Sequence, residues 1–242
     1  MEKIRLLIPP SDTARDSERW YEFAIYLSKR SGLSVSPIIS ATTEEYQDQI
    51  PSADLVYCAP EQIPKLIRDH RFSPLMQPTG VFEEVAIVSG PGANQHNLQG
   101  IDGEILGGIK GSFANRLGLT TLTQRQIHPA AMEYKDNWLQ LLKAVQQGDL
   151  PYALLSKSFI DQLSALSLTS VNLLARSNLQ KAFPLLMYAP PLKSQTAELR
   201  QILQAMIDEP KAQPILEKLK NQGWQKPSEP SIITMVKLLR GK

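Results

Sequence analysis

The sequence predicts an α/β protein built as two lobes. Short apolar runs alternate with helical stripes along the chain, with no internal repeat and no low-complexity segment, the pattern of strands layered against helices. Two long apolar runs, Glu84–Ser89 and Phe183–Tyr188, bracket a middle block of about one hundred residues, an ordinary size for one lobe. The 242 residues exceed the usual single-domain size, and a 42% hydrophobic share supplies a real core.

The elements follow in order. Ile4–Ile8 reads as a buried strand, Pro9–Asp12 as a polar turn, and Glu18–Gly32 as an amphipathic helix. Within that helix Trp20, Phe23, Ala24 and Leu27 stand at the i, i+3, i+4, i+7 spacing of a stripe packed on a sheet. Strands are expected at Leu33–Ile39 and Asp54–Tyr57, a helix from about Pro60, and another strand at Ser73–Met76. Glu84–Ser89 then leads into the middle block. There we expect a strand over Glu104–Ile109, a helix over Ala114–Leu122, a strand over Ala131–Tyr134, a helix over Trp138–Gln146 and a strand over Tyr152–Leu155. Phe183–Tyr188 returns the chain, and helices from Gln195 onward finish the first lobe. The first lobe is thus 1–84 with 186–242, and the second is the insertion 85–185. Such a pair of connections is a natural hinge around a central cleft.

Composition narrows the function. A formal net charge of +2 makes no field for a polyanion, so no nucleic-acid partner is expected. The longest apolar runs, such as Leu185–Ala189, are too short for a transmembrane segment. No charged start and apolar signal core precede the first strand. A chain complete as written would be cytoplasmic; one whose leader was removed would be periplasmic or otherwise extracytoplasmic. Cys58 is the one cysteine, without a histidine near it in sequence, and is expected to be an inert buried thiol. His70, His96 and His128 are scattered at no metal-ligand spacing. Gly90-Pro-Gly92 and Gly107-Gly108 lack both the phosphate-loop ending and the dinucleotide fingerprint. No metal, cofactor or catalytic residue is expected.

Binding candidates stand where strands end and helices begin, the crevice at which α/β proteins hold small molecules. Ser11 and Asp12 occupy one such junction and either meet a ligand or cap the chain. Lys110-Gly-Ser-Phe-Ala-Asn115 is the best anion candidate: the N–H groups of Phe113, Ala114 and Asn115, with the Ser112 hydroxyl and the helix dipole, converge without a buried cation. Tyr57 offers a hydroxyl and a ring face, or sheet packing. Of Glu83 and Glu84, one should face the cleft, where a carboxylate suits a ligand amine or makes a hinge salt bridge.

Several segments also resemble a known family. Ile8-Pro-Pro-Ser-Asp12 with Glu18-Arg-Trp20 and Leu27-Ser28, then Ala53–Pro60, Pro74–Pro78 and Ile101–Ile109, are similar to the phosphate/phosphite/phosphonate-type substrate-binding proteins of ABC transporters. Lys143-Ala-Val-Gln-Gln-Gly148 matches their "alanine, valine, two residues, glycine" signature. The resemblance implies a type-2 periplasmic-binding-protein fold, with mixed sheets flanked by helices and a ligand cleft between the lobes. It also implies capture of a small anionic or zwitterionic, phosphonate-like solute by lobe closure, by a monomer with an ABC transporter permease as partner. Where the family carries a serine- and threonine-rich turn, Ser112 is the hydroxyl that remains, beside Phe113 and Asn115. The family's acidic residue at the next strand aligns near Pro151, with Asp149 two residues early, and a later acidic position falls near Ser156. Two other functions fit the same fold: a cytoplasmic enzyme like those of menaquinone biosynthesis, and a ligand-sensing module of a signalling system.

Overall fold

The computed structural model describes residues 3–10 and 17–240. The chain opens with β1 (Lys3–Ile8), α1 (Glu18–Ser31), β2 (Ser34–Ile39), α2 (Thr43–Gln49), β3 (Leu55–Cys58), α3 (Ile63–His70) and β4 (Ser73–Pro78). It continues with β5 (Val85–Ser89), β6 (Ile105–Gly108), α4 (Phe113–Gln124), β7 (Ala131–Tyr134), α5 (Trp138–Gln147), β8 (Tyr152–Ser156), α6 (Lys157–Asp161) and β9 (Asn172–Arg176). The last elements are β10 (Leu185–Tyr188), α7 (Thr196–Ala205), α8 (Gln213–Leu219), β11 (Trp224–Gln225) and α9 (Glu229–Arg240). Two compact units result: Met1–Phe82 with Phe183–Leu238, and Glu83–Ala182 with Leu239–Lys242.

The first unit is a six-stranded mixed sheet in the order β11-β4-β10-β3-β1-β2. β1 pairs in parallel with both β2 and β3, while β10 runs antiparallel to β3 and β4. The stripe read from α1 is its anchor, with Trp20, Phe23, Ala24 and Leu27 each no more than 2% exposed. Each large member of that stripe contributes about 1.5–3 kcal/mol by leaving water. Glu18 in the first turn and Lys29 and Arg30 in the last suit the helix dipole, and Gly32 ends the helix in the left-handed region at φ 69°.

The second unit is a five-stranded mixed sheet in the order β7-β6-β8-β5-β9. β7, β6 and β8 are mutually parallel, β5 runs against β8, and β9 runs against β5. Its core joins Ala86, Val88, Ala153 and Leu155 of the sheet to Leu141, Leu142 and Val145 of α5.

Four elements, α2, α6, β9 and β11, lie outside the sequence expectation. β9 is an exposed edge strand, so it lacks the apolar alternation that marks a strand. β11 is only two residues long. The helix expected from Pro60 begins as a tight turn over Pro60–Gln62 before α3. α2 starts at a cap, Thr42, whose side chain accepts from the Glu45 N–H at 3.1 Å, in a stretch too polar to show a stripe. Among the described residues no helix is long and apolar enough to cross a membrane.

Tyr26 ties α1 to the turn after α7, its hydroxyl donating to Glu209 Oε2 at 2.9 Å. Burial, and then the Glu209 carboxylate, push the phenol from about 10 up to about 12. The folded chain therefore keeps a proton that the unfolded chain releases. That contribution to stability is whole below about pH 10 and is lost as the pH rises towards about 12. Alkaline denaturation followed by circular dichroism should show this loss for the native chain, and Tyr26→Phe should flatten it.

Candidate functional site

In the second unit, strand direction decides which residues can meet. β6 and β8 are parallel, with Gly107 opposite Ala153, so their carboxyl ends, Gly108 and Ser156, lie at one edge of the sheet. β5 starts at that edge because Val85 pairs with Ser156, and β9 ends there because Arg176 pairs with Ala86. Glu83, Glu84, the Ser112 turn and Ser156 thus share the edge at which α/β sheets hold ligands.

The turn after β6 is built by two glycines. Ser112 N–H closes it onto the Ile109 carbonyl at 3.2 Å, and Gly111 takes φ 78°, a conformation that side chains disfavour. Gly108 permits a close approach: a methyl group there would sit 2.2 Å from Asn115 Oδ1. Ser112 is the N-cap of α4, and its Oγ accepts from the Asn115 N–H at 3.2 Å, leaving the hydroxyl proton to be donated elsewhere. The N–H groups of Phe113 and Ala114 lie in the first turn, where no helical carbonyl reaches them. All four residues from Ser112 to Asn115 are at most 7% exposed. The cluster is therefore a buried set of neutral donors at the positive end of a twelve-residue helix, with Lys110 and Arg116 exposed on either side.

Of the two acids at the start of β5, Glu84 is turned into the protein, while Glu83, the binding candidate, is half-buried. Glu84 is 4% exposed and accepts from the Ser177 hydroxyl and, at 2.7 Å, from the Gln180 N–H. Its backbone carbonyl accepts from the Lys157 N–H at 2.8 Å, and Glu83 N–H donates to the Ala182 carbonyl at 2.8 Å. Glu84 thus fastens the segment after β9 to the start of β5. Ser177 and Gln180 escaped the sequence reading because they stand more than 90 positions from Glu84. Ser156, 3% exposed, pairs its hydroxyl with that of Ser158 at 2.8 Å, and Ser158 is another residue the sequence did not suggest.

The length of β8 separates Pro151 from Ser156. Pro151 and the exposed Asp149 precede β8 at its amino end, five residues or roughly 16 Å of strand from Ser156. An acid there would stand at the opposite edge from Ser112, so its replacement by proline removes nothing from this cluster.

In the first unit Tyr57 is 8% exposed within an aromatic cluster, its ring centre 4.8 Å from Trp20 and 6.4 Å from Trp224. Its carbonyl accepts from the Tyr46 hydroxyl at 3.1 Å. Packing accounts for its burial. Cys58 is fully buried, its thiol donating to the Leu185 carbonyl at 3.5 Å, and burial pushes the thiol far above the usual range. Ser11 and Asp12 lie outside the described residues. His96 is exposed, with Nδ1 2.9 Å from Ser89 Oγ, and among the described residues no group of three or more histidine, cysteine or acidic side chains is placed to hold a metal ion.

The chain thus has two α/β units, one of which carries a buried neutral donor cluster at the carboxyl edge of its parallel strands. The model of one family, described as "ABC transporter, phosphonate, periplasmic substrate-binding protein", matches residues 6–231, and the chain belongs to that family. Its members are described as periplasmic substrate-binding proteins of ABC transporters. PhnD1 from Prochlorococcus marinus, solved with methylphosphonate, superposes with a TM-score of 0.82 at 12% identity, over 99% of this chain and 98% of that one. The binding-protein component of an ABC phosphonate transporter from Pseudomonas aeruginosa gives 0.78 at 11% identity, over 98% and 85%. The aliphatic sulphonate binding protein SsuA from Escherichia coli gives 0.68 at 15%, over 99% and 79%. At these identities the structural likeness concerns the fold. Comparison with curated protein sequences gives no match.

Two substitutions test the architecture. Gly108→Ala forces Asn115 and the turn apart and should cost about 1–3 kcal/mol, read as a lower urea midpoint with an unchanged m-value. Glu84→Ala leaves Ser177 Oγ and the Gln180 N–H without their acceptor and should cost at least about 1–3 kcal/mol in the same measurement.

Proposed function

We propose that the chain captures a small solute bearing a phosphonate-like oxyanion at the Ser112 turn and delivers it to the permease of an ABC transporter. The observation that carries the reading is the buried convergence of the Ser112 hydroxyl with the Phe113 and Ala114 N–H groups at the start of α4. Family membership supports it, as does the fold shared with a protein solved with methylphosphonate. Ser156, at the same edge, is proposed as a further hydroxyl contact. Action as an exported monomer belongs to the same proposal. It predicts a single monomeric peak of this 27.0 kDa chain on size exclusion, with and without ligand.

Binding needs no cation inside the site. Charge-assisted hydrogen bonds from neutral N–H and O–H groups are roughly twice as strong as neutral ones, and the helix end adds its partial positive charge. Lys110 and Arg116, both exposed, raise the local concentration of anions without entering the site.

A thermal-shift screen tests the proposal with phosphate, phosphite, alkylphosphonates, sulfonates, amino acids and small carboxylates. A ligand at a hundredfold excess over its Kd should raise the melting temperature by about 5–10 °C. Ser112→Gly removes the hydroxyl but keeps most of the cap, so its unliganded melting point should stay within a degree or two while affinity falls roughly tenfold or more. An oxyanion shift of the same size in this variant would remove Ser112 from the site. No shift with any oxyanion would sink the proposal.

A further inference from the structure

The first unit holds a cavity that the anion-site reading does not use. β3 and β4 run in one direction and β10 against both, so the residues before β3 and β4 and those after β10 share one edge of the sheet. That is the amino edge of the parallel strands, opposite the edge at which α/β sheets hold ligands. A cavity of about 330 Å³ opens there, a volume in the range of small-molecule sites. Its walls are Pro51 and Asp54 before β3, His70 and Phe72 before β4, and Pro190 and Pro191 after β10. Pro51 lies in the tight turn Ile50–Ser52, and Pro190 and Pro191 open the turn Pro190–Gln195. Proline fixes its own φ, so these walls keep their shape with no ligand present and binding orders little.

Asp54 gives the cavity its chemistry. Its Oδ2 accepts from the Arg5 N–H at 2.8 Å, its N–H donates to the Arg5 carbonyl at 3.0 Å, and its carbonyl accepts from the Ala189 N–H at 2.9 Å. These bonds hold the residue in place and leave Oδ1 without a hydrogen bond or ion pair among the described residues. The Arg5 guanidinium donates elsewhere, to Gln49 Oε1 at 3.1 Å, and Arg71 and Lys193, close by in sequence, do not line the cavity. A half-buried carboxylate thus borders a small rigid cavity with no counter-ion. The half-buried His70 adds a ring nitrogen, and Phe72, 4% exposed, joins the prolines as apolar wall.

We propose that this cavity binds a small organic cation, an ammonium group on a compact apolar body. The ammonium donates to Asp54 Oδ1 and to the unprotonated nitrogen of His70, and the body packs against Phe72 and the prolines. A carboxylate ligand would set its charge against Asp54. A neutral alcohol gains no ion pair and a weaker hydrogen bond, since a bond between two charged partners is roughly twice as strong as a neutral one. One carboxylate and one imidazole are too few to hold a metal ion, and among the described residues no group of three or more such side chains is placed to do so. The site is separate from the Ser112 turn, which belongs to the second unit.

Two-dimensional ¹H–¹⁵N NMR titration of the full chain tests this with benzylamine, benzyl alcohol and benzoate, probes of similar size and different charge. Benzylamine should move the amide signals of Asp54, His70, Phe72 and Ala189 saturably, benzyl alcohol should bind at least about tenfold more weakly, and benzoate should leave those signals in place. Asp54→Asn keeps an oxygen for the Arg5 N–H and removes the charge, so it should weaken benzylamine at least about tenfold. Should that variant fail to fold, the native-chain titrations decide alone. No saturable movement of those signals with benzylamine, binding of benzyl alcohol or benzoate as tight as that of benzylamine, or undiminished benzylamine affinity in a folded Asp54→Asn overturns the proposal. None of these outcomes bears on the Ser112 turn, which the oxyanion screen tests separately.

Discussion

The first turn of α4 cannot satisfy its own N–H groups, and the second unit's site follows from that constraint. A helix begins with donors that have no carbonyl one turn back. At most sheet edges water takes them. Here the turn after β6 is short, Gly108 lets Asn115 lie close to the strand, and Ser112 to Asn115 are all buried. Ser112 Oγ accepts from one donor, at Asn115, and leaves the two before it facing the junction. Replacing the capping serine by a bulky apolar residue would remove the one acceptor that the helix has for itself.

The carboxylate of Glu84 plays the opposite part. It could have been a charge offered to a ligand, yet it is turned inward and filled by Ser177 and Gln180. A buried carboxylate with two donors is costly to disturb, so it fixes where the chain after β9 runs past the start of β5. Its acceptors are taken by Ser177 and Gln180 and are not offered to a ligand. A free carboxylate beside the Ser112 turn would oppose an oxyanion in a low-dielectric place, where Coulomb repulsion is hardly screened.

The parts of this architecture legible in the sequence are those set by local pattern. The α1 stripe, the strand at β6, the helix after Ser112 and the glycine that closes α5 all announce themselves within a few residues. The two-lobed α/β class followed from their alternation, and the family from their order. What stayed hidden was non-local. Nothing near Glu84 signals Ser177, because their pairing depends on β9, an edge strand without apolar alternation. The distance of Pro151 from the Ser112 turn was hidden too, because it depends on the direction of β8 and not on alignment. Asn115 was legible as a candidate, but its packing against Gly108 was not, since that requires knowing how closely Gly108 approaches.

A site of neutral donors suits a protein that must both hold and release its cargo. A buried lysine or arginine would bind an oxyanion more tightly, but it would carry a large desolvation cost whenever the anion left, since an unpaired buried charge is among the costliest groups a fold can hold. Backbone N–H groups and a serine hydroxyl lose far less when the ligand departs, because water can replace it as an acceptor. Under the proposed function, the exposed charges of Lys110 and Arg116 would affect the rate of encounter, an effect that salt screens, and the buried donors would set the affinity, which salt screens much less. Salt dependence should thus fall on association and not on dissociation, the division that separates attraction by surface cations from retention by the helix end.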